Sequence, residues 1–294
     1  MANNFKNKKA IRFKKGTERI LLLLFLQSQK TLYLLKTHIL ILLSFLFVNT
    51  TITAQNNDKN DSLKKNTGDI LYSFSAYYSY EFPGGNLATR FGNDHKIGGQ
   101  FTYKSATNWI FSFDGGYMFG TNLKKEAYSI LDPLKTAQGQ ITSKYGTPSD
   151  ILLNERGFSF FITGGKLFAL KKWINKNSGI VVKGGFGFLQ HKIRIDVSGN
   201  DAPQLSEEYK KGYDRLTNGW GFRQFIGYRH YAENKLFNFY IGMEATQAYT
   251  QNRRAYNYDT MQADNTKRWD LLYSIKAGFV IPLAKRKPAE FYVF

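Results

Sequence analysis

The sequence predicts an all-β fold, an eight-stranded antiparallel transmembrane β-barrel with short turns at one end and long loops at the other. Three observations predict it. Between Asp69 and Leu283 eight segments alternate apolar and polar residues with period two, the mark of strands with unlike faces. The connections between them alternate short and long. Beyond residue 48 no run approaches the roughly 18 apolar residues that a spanning helix needs. The mean hydropathy of −0.39 does not argue against a membrane, because only every second barrel residue faces lipid.

Residues 1–54 are expected to be an N-terminal extension and signal peptide. Lys36 precedes an apolar run from Ile39 to Val48, and a small-residue cleavage site follows at Ile52-Thr53-Ala54. Upstream, a basic stretch from Lys6 to Arg19 precedes a second apolar run, Ile20 to Leu26. Two readings compete, an unusually long n-region and a start nearer Lys36; the second is favoured, with an uncleaved inner-membrane anchor as its rival. The next segment, 55–68, is Asn- and Lys-rich without periodicity and is expected to be a flexible periplasmic lead-in.

The barrel proper is placed at 69–284. Strand one turns Tyr72, Phe74, Ala76, Tyr78, Tyr80 and Phe82 outward, with Ser73, Ser75, Tyr77, Ser79 and Glu81 inward. Strand two sets Ile97, Phe101 and Tyr103 against Gln100 and Thr102; strand three sets Trp109, Phe111, Phe113, Tyr117 and Phe119 against Ser112, Asp114, Gly116 and Met118. Strands four (158–170) and five (180–197) alternate less cleanly. In strand five the apolar set switches from Ile180, Val182, Phe186 and Phe188 to Ile193, Ile195 and Val197, which calls for a bulge near Gln190 or an excursion above the membrane. Strand six (220–231) opposes Arg223, Gly227 and Arg229 to Phe222, Ile226 and Tyr228, and strand seven opposes Tyr240, Gly242, Glu244 and Thr246 to Phe239, Ile241, Met243 and Ala245. Strand eight alternates eight times from Trp269 to Leu283, and about ten residues suffice to cross a bilayer at barrel tilt. The short connections, 105–108, 171–177 and 232–235, are assigned to the periplasm. The long ones, 83–95, 121–157, 198–219 and 250–268, are assigned to the exterior. Leu123 to Leu134 is expected to hold a short helix broken at Pro133. Residues 285–294 are expected to form a periplasmic C-terminal tail.

A water-soluble barrel or sandwich is disfavoured, since its interior would have to hold the Phe, Tyr and Trp of eight strands while Gly and Ser faces covered its surface. Trp109, Trp173 and Trp269 fall at strand ends, where an aromatic ring sits at headgroup depth. The 41 Lys+Arg against 22 Asp+Glu give +19, and the residues after 54, with 32 basic and 21 acidic, give +11. That charge suits anionic headgroups, and export leaves no nucleic acid partner. The absence of Cys fits an oxidising compartment.

The pattern resembles the small eight-stranded outer-membrane barrels of Gram-negative bacteria, the OmpA- and OmpX-like group and Bacteroidetes-type barrel families. Asp69 to Leu283 carries the resemblance, together with an assembly-signal-like last strand at Gly278 to Leu283 and an aromatic terminus. It implies residence in the outer membrane among lipid and lipopolysaccharide, and contact with the barrel assembly machinery during insertion. Its members include anchors, adhesins, assembly accessories and a few lipid-modifying enzymes.

Candidate chemistry lies first in the lumen. The inward set is Glu81, Lys96, Lys104, Asp114, Lys183, Arg223, Arg229, Glu244, Asp270 and Lys276, and an eight-stranded barrel is just wide enough for its own side chains. Buried charges pair, so Glu244 and Asp114 are expected to be bridged by Arg223, Lys183 or Lys276, as a structural network or as a narrow ion path. His95, His191 and His230 lack a Ser or acidic partner at a motif spacing, so no catalytic residue is assigned. No cofactor or metal site is expected, and the Gly-Gly pairs at 84–85, 98–99, 115–116, 164–165 and 184–185 open no helix of a nucleotide-binding unit. Asn252-Arg253-Arg254 with Tyr249, Tyr256 and Tyr258 is a basic, aromatic cluster suited to lipopolysaccharide phosphates or to a partner, or merely to an interface. Phe291, Tyr292, Val293 and Phe294 are read either as a frayed end or as a docking peptide for an envelope protein. The expected role is structural, scaffolding or accessory to assembly; a small pore or transport accessory is the alternative, and a lipid A-modifying enzyme the third reading.

Overall fold

The computed structural model describes residues 69–170, 177–232 and 237–283. The signal segment, the lead-in and the C-terminal tail lie outside them. Eight antiparallel strands close in chain order: β1 (Leu71–Gly85), β2 (Asp94–Lys104), β3 (Trp109–Gly120), β4 (Ile151–Ala169), β5 (Gly179–Val197), β6 (Thr217–His230), β7 (Phe239–Asn252) and β8 (Lys267–Leu283), with β1 paired to β8. The faces follow the alternation. Ser73, Ser75, Ser79 and Glu81 are fully buried in the interior, whereas Phe74, Tyr78, Phe111, Phe113, Phe160, Ile162 and Phe186 stand exposed around the outside. A closed barrel with a polar interior and an exposed apolar girdle has every backbone group paired and only lipid-compatible side chains outside, which is how strands cross an outer membrane.

Small residues and rings share the narrow lumen. Tyr77 lies over Gly98, its cross-strand partner, and a Cβ there would come within 2.6 Å of the phenol ring. Phe161 lies over Gly187, its partner on β5, at the same closeness. These rings cover the bare backbone of strands that coil tightly. Tyr77, Phe225, Tyr231 and Tyr240 join Ile110, Leu167, Val181 and Val280 in an apolar floor at the periplasmic end.

The outer end inverts this arrangement. The β4–β5 pairing runs without a break from Ile151↔Val197 to Ala169↔Gly179, so there is no bulge at Gln190. The switch in strand five instead marks an excursion above the membrane. Each of these strands has 19 residues, so at about 3.3 Å per residue each runs some 60 Å, and tilt leaves ~40 Å of height against an apolar band of ~25 Å. Above the band Leu153, Leu189, Ile193 and Ile195 point inward, and Arg156, Lys192, Arg194 and Asp196 point out. Water now lies outside, and the apolar face turns in.

The inward apolar residues are capped by loop side chains, among them Leu87, Phe91, Leu123, Ala127, Ile130, Leu131 and Leu205. The connection after β3 carries α1 (Lys125–Tyr128), which passes into a 3-10 turn, Ser129–Leu134. Pro133 lies inside that turn rather than breaking the α-helix, which has already ended at Tyr128; it lacks the N–H that would meet the Ile130 carbonyl. A second short helix, α2 (Glu207–Lys210), sits in the connection before β6. Six strands are longer at their outer ends than alternation implies: β1 reaches Gly85, β2 starts at Asp94, β4 at Ile151, β6 at Thr217 and β8 at Lys267, and β7 reaches Asn252.

Candidate functional site

Six strands each send one charged side chain into the middle of the lumen: Glu81 (β1), Lys96 (β2), Asp114 (β3), Arg223 (β6), Glu244 (β7) and Lys276 (β8). Lys96 Nζ donates to Glu81 Oε1 at 2.6 Å and to Glu244 Oε1 at 3.1 Å. Lys276 Nζ donates to Glu244 Oε2 at 3.0 Å and stands 3.9 Å from Asp114 Oδ2. Arg223 spans the barrel. Its Nη1 donates to Asp114 Oδ1 at 2.6 Å, its Nε donates to Thr246 Oγ1 at 3.0 Å and lies 3.4 Å from Glu244 Oε1, and its Nη2 donates to Ser159 Oγ at 3.3 Å. Aromatic faces complete the shell: the guanidinium lies 3.6 Å from the Phe161 ring centroid, and the Lys276 ammonium 3.8 Å from that of Tyr77. Three cations and three carboxylates, all essentially without solvent exposure, form an electrically balanced lattice.

Lys183 stands outside that lattice. Its Nζ donates to Gln100 Oε1 at 3.0 Å and lies 5.2 Å from the Phe225 ring centroid. The cause is register: Lys183 pairs with Gly165 and Phe225, a layer toward the periplasm, while Arg223, Lys96 and Lys276 already occupy the carboxylates. Lys104 and Arg229 belong to the floor as well, Lys104 donating to Asn177 Oδ1 at 3.1 Å and Arg229 to the Tyr231 hydroxyl at 3.2 Å.

Higher up, Glu81 faces Asp94 directly across β1–β2, and Glu155 approaches the same corner opposite Gly120. Asp94 and Glu155 are buried side by side within hydrogen-bonding reach of each other, as an acid pair beside Glu81. Beside them His191 has an acidic partner distant in sequence: its Nε2 lies 2.9 Å from Asp270 Oδ2, which also accepts from Thr250 Oγ1 at 2.5 Å. The partner is 79 residues away, so no local spacing announces it. The order of contacts puts the carboxylate between hydroxyl and imidazole. Activating a hydroxyl needs the imidazole in the middle.

Trp109 and Trp269 are exposed at opposite ends of the barrel wall, Trp109 at the periplasmic start of β3 and Trp269 near the outer start of β8. Trp173 and Phe291 to Phe294 lie outside the described residues. In the basic loop cluster, Arg254 donates to both oxygens of Asp214, at 2.8 and 2.5 Å, and these bonds hold its guanidinium above its ordinary pKa. Arg253 donates to Asn218 Oδ1 at 2.6 Å, and Tyr258 packs against Tyr209, Tyr213 and Tyr256. Much of this cluster therefore holds the loops together. Sequence reading missed the cations that line a groove beside Arg254: Arg156, Lys192 and Arg194 on the outer wall, and Lys210 and Lys211 on the loop before β6. The alternation of β4 and β5 could have shown Arg156 and Lys192 sharing one face.

No family model matches the chain, and no curated protein matches it. Among solved structures it is similar to Ail, the attachment invasion locus protein of Yersinia pestis, in complex with the heparin analogue sucrose octasulfate (9% identity, TM-score 0.33, 72% of this chain and 99% of that one). It is similar also to Neisserial surface protein A (12%, 0.35, 71% and 96%) and to the N-terminal β-barrel domain of Pseudomonas aeruginosa OprF (8%, 0.33, 72% and 99%). At such identities no residue role carries over.

Proposed function

We propose that the chain is a non-enzymatic integral barrel of the outer membrane with a structural or scaffolding role, a closed post that presents its outer loops rather than a passage. One observation carries this reading: the lumen is filled at three successive levels. Tyr77, Phe225 and Tyr240 occupy the floor, the six-charge lattice the middle, and Leu189, Ile193 and Phe91 the roof. An ion moving through would have to displace both apolar layers and break a balanced lattice. The test is a planar-bilayer recording of the purified, refolded protein. No stable unitary conductance is expected, and discrete ion-selective openings would favour the pore reading. Against lipid-modifying activity stands the contact order around His191. A deletion strain is expected to keep an unchanged lipid A mass spectrum, and a change in acylation would reverse that assignment.

A further inference from the structure

We infer that the outer wall of β4–β5 binds one phosphorylated, acylated glycolipid of the lipid A class, its phosphate in a cationic groove and one acyl chain in an aromatic trough beneath. The inference rests on the reading of the chain as an outer-membrane barrel. Two cavities on the same strands support it independently. The upper, about 470 Å³, lies between the outer face of β4–β5 and the loop carrying α2. Three of its cations are already engaged: Arg194 with Asp196 at 2.8 Å, Lys210 with Glu207 at 2.8 Å, and Arg254 with Asp214. Three others leave an excess of positive charge. Arg156 donates one N–H to the Glu155 carbonyl at 2.6 Å and has no carboxylate partner among the described residues. Lys192 is 3.9 Å from the Asp214 oxygen that Arg254 occupies, and Lys211 forms no ion pair among the described residues. Arg156 and Lys192 are cross-strand partners on one face, so their charges converge.

The lower cavity, about 850 Å³, is a trough on the lipid-facing wall. Gly164 and Gly184 stand opposite each other across β4–β5 and leave its floor without side chains. Phe111, Phe186 and Phe222 wall it, and Trp220 stands exposed at its rim. The two cavities meet at Phe158, which lines the groove, while Phe160 and Phe188, 5.6 and 6.4 Å from it between ring centroids, line the trough. On β4, Arg156 is two residues above Phe158, about 7 Å along the strand. That step from charge to aromatic ring matches the step from phosphate to acyl chain at a bilayer surface. A soluble anion needs no trough, and a neutral lipid needs no cations. The groove lies at the end with the long loops, facing the outer leaflet.

The test titrates the protein, refolded in lipid-free detergent, with bis-phosphorylated lipid A, its dephosphorylated form and inorganic phosphate, and reads complexes by native mass spectrometry. A one-to-one complex with the phosphorylated lipid is expected. Dephosphorylation and the triple variant Arg156→Ala/Lys192→Ala/Lys211→Ala should each weaken it at least roughly tenfold, since charge-assisted bonds to phosphate are lost. Gly164→Leu/Gly184→Leu fills the trough and should weaken both lipid forms. Lys124→Ala/Lys125→Ala/Lys144→Ala, which removes equal charge elsewhere, should leave binding unchanged. Wild-type affinity in the groove variant, equal loss in the distant variant, or displacement of lipid by inorganic phosphate at matching concentration would each overturn the inference. Heat-modifiable migration and insertion into vesicles are measured for every form. If wild type does not insert, the barrel reading fails; if it inserts but does not discriminate among lipids, the groove assignment alone fails.

Discussion

Arg223 ties more of the interior together than any other side chain of the lattice, because it reaches carboxylates on β3 and β7 and hydroxyls on β4 and β7. Removing it leaves Asp114, among the described residues, with Lys276 as its one ion-pair partner, 3.9 Å away. Arg223→Met is expected to cost about 3–5 kcal/mol, read from denaturant unfolding in vesicles. Adding Asp114→Asn should recover some of the loss, since the stranded charge goes with it; additive costs would show that the two residues are not coupled. The inward positions of these groups were legible from period two alone. Which cation meets which carboxylate was not, because partners such as Arg223 and Asp114 lie 109 residues apart across the barrel and depend on strand register. Lys183 shows the limit: its face follows from alternation, its layer does not.

The β4–β5 hairpin joins two solvents in one element. Below, lipid bathes the outside while polar groups and, at the floor, Leu167 and Val181 fill the inside; above, water bathes the outside and Leu189, Ile193 and Ile195 fill the inside. Alternation survives the crossing, but its sign changes. For that reason residues 151–157 read as loop in the sequence although they are strand, and the switch in strand five admitted a bulge. Inside the band the strand faces were legible because one rule holds from end to end. The outer cap is a small soluble-style core and should behave as one. Leu189→Ala is expected to cost about 2–5 kcal/mol of cap packing. Limited proteolysis should then cut within 121–150 at low protease while heat-modifiable migration of the barrel persists; loss of both together would show that cap and barrel unfold as one unit.

At the scale of the whole molecule, the ion lattice bears on the order of events as the chain enters its membrane. Lys96 on β2 reaches Glu244 on β7, and these strands come together only after β1 has met β8. Until that last seam zips, neighbouring strands offer Glu81 and Lys96 to each other, but the cross-barrel contacts do not exist. An open sheet thus carries half-compensated charge into hydrocarbon, and closure relieves it. The lattice in effect rewards the ring and penalises the ribbon. Lys96→Met should therefore slow the final closing phase in vesicle refolding, followed by the appearance of the heat-modifiable band, more than it slows the gain of β-structure followed by circular dichroism. Equal slowing of both would assign the lattice to early pairing instead. A feature that looks like static filling would then act as a timer, committing the chain to its membrane only when the circle is complete.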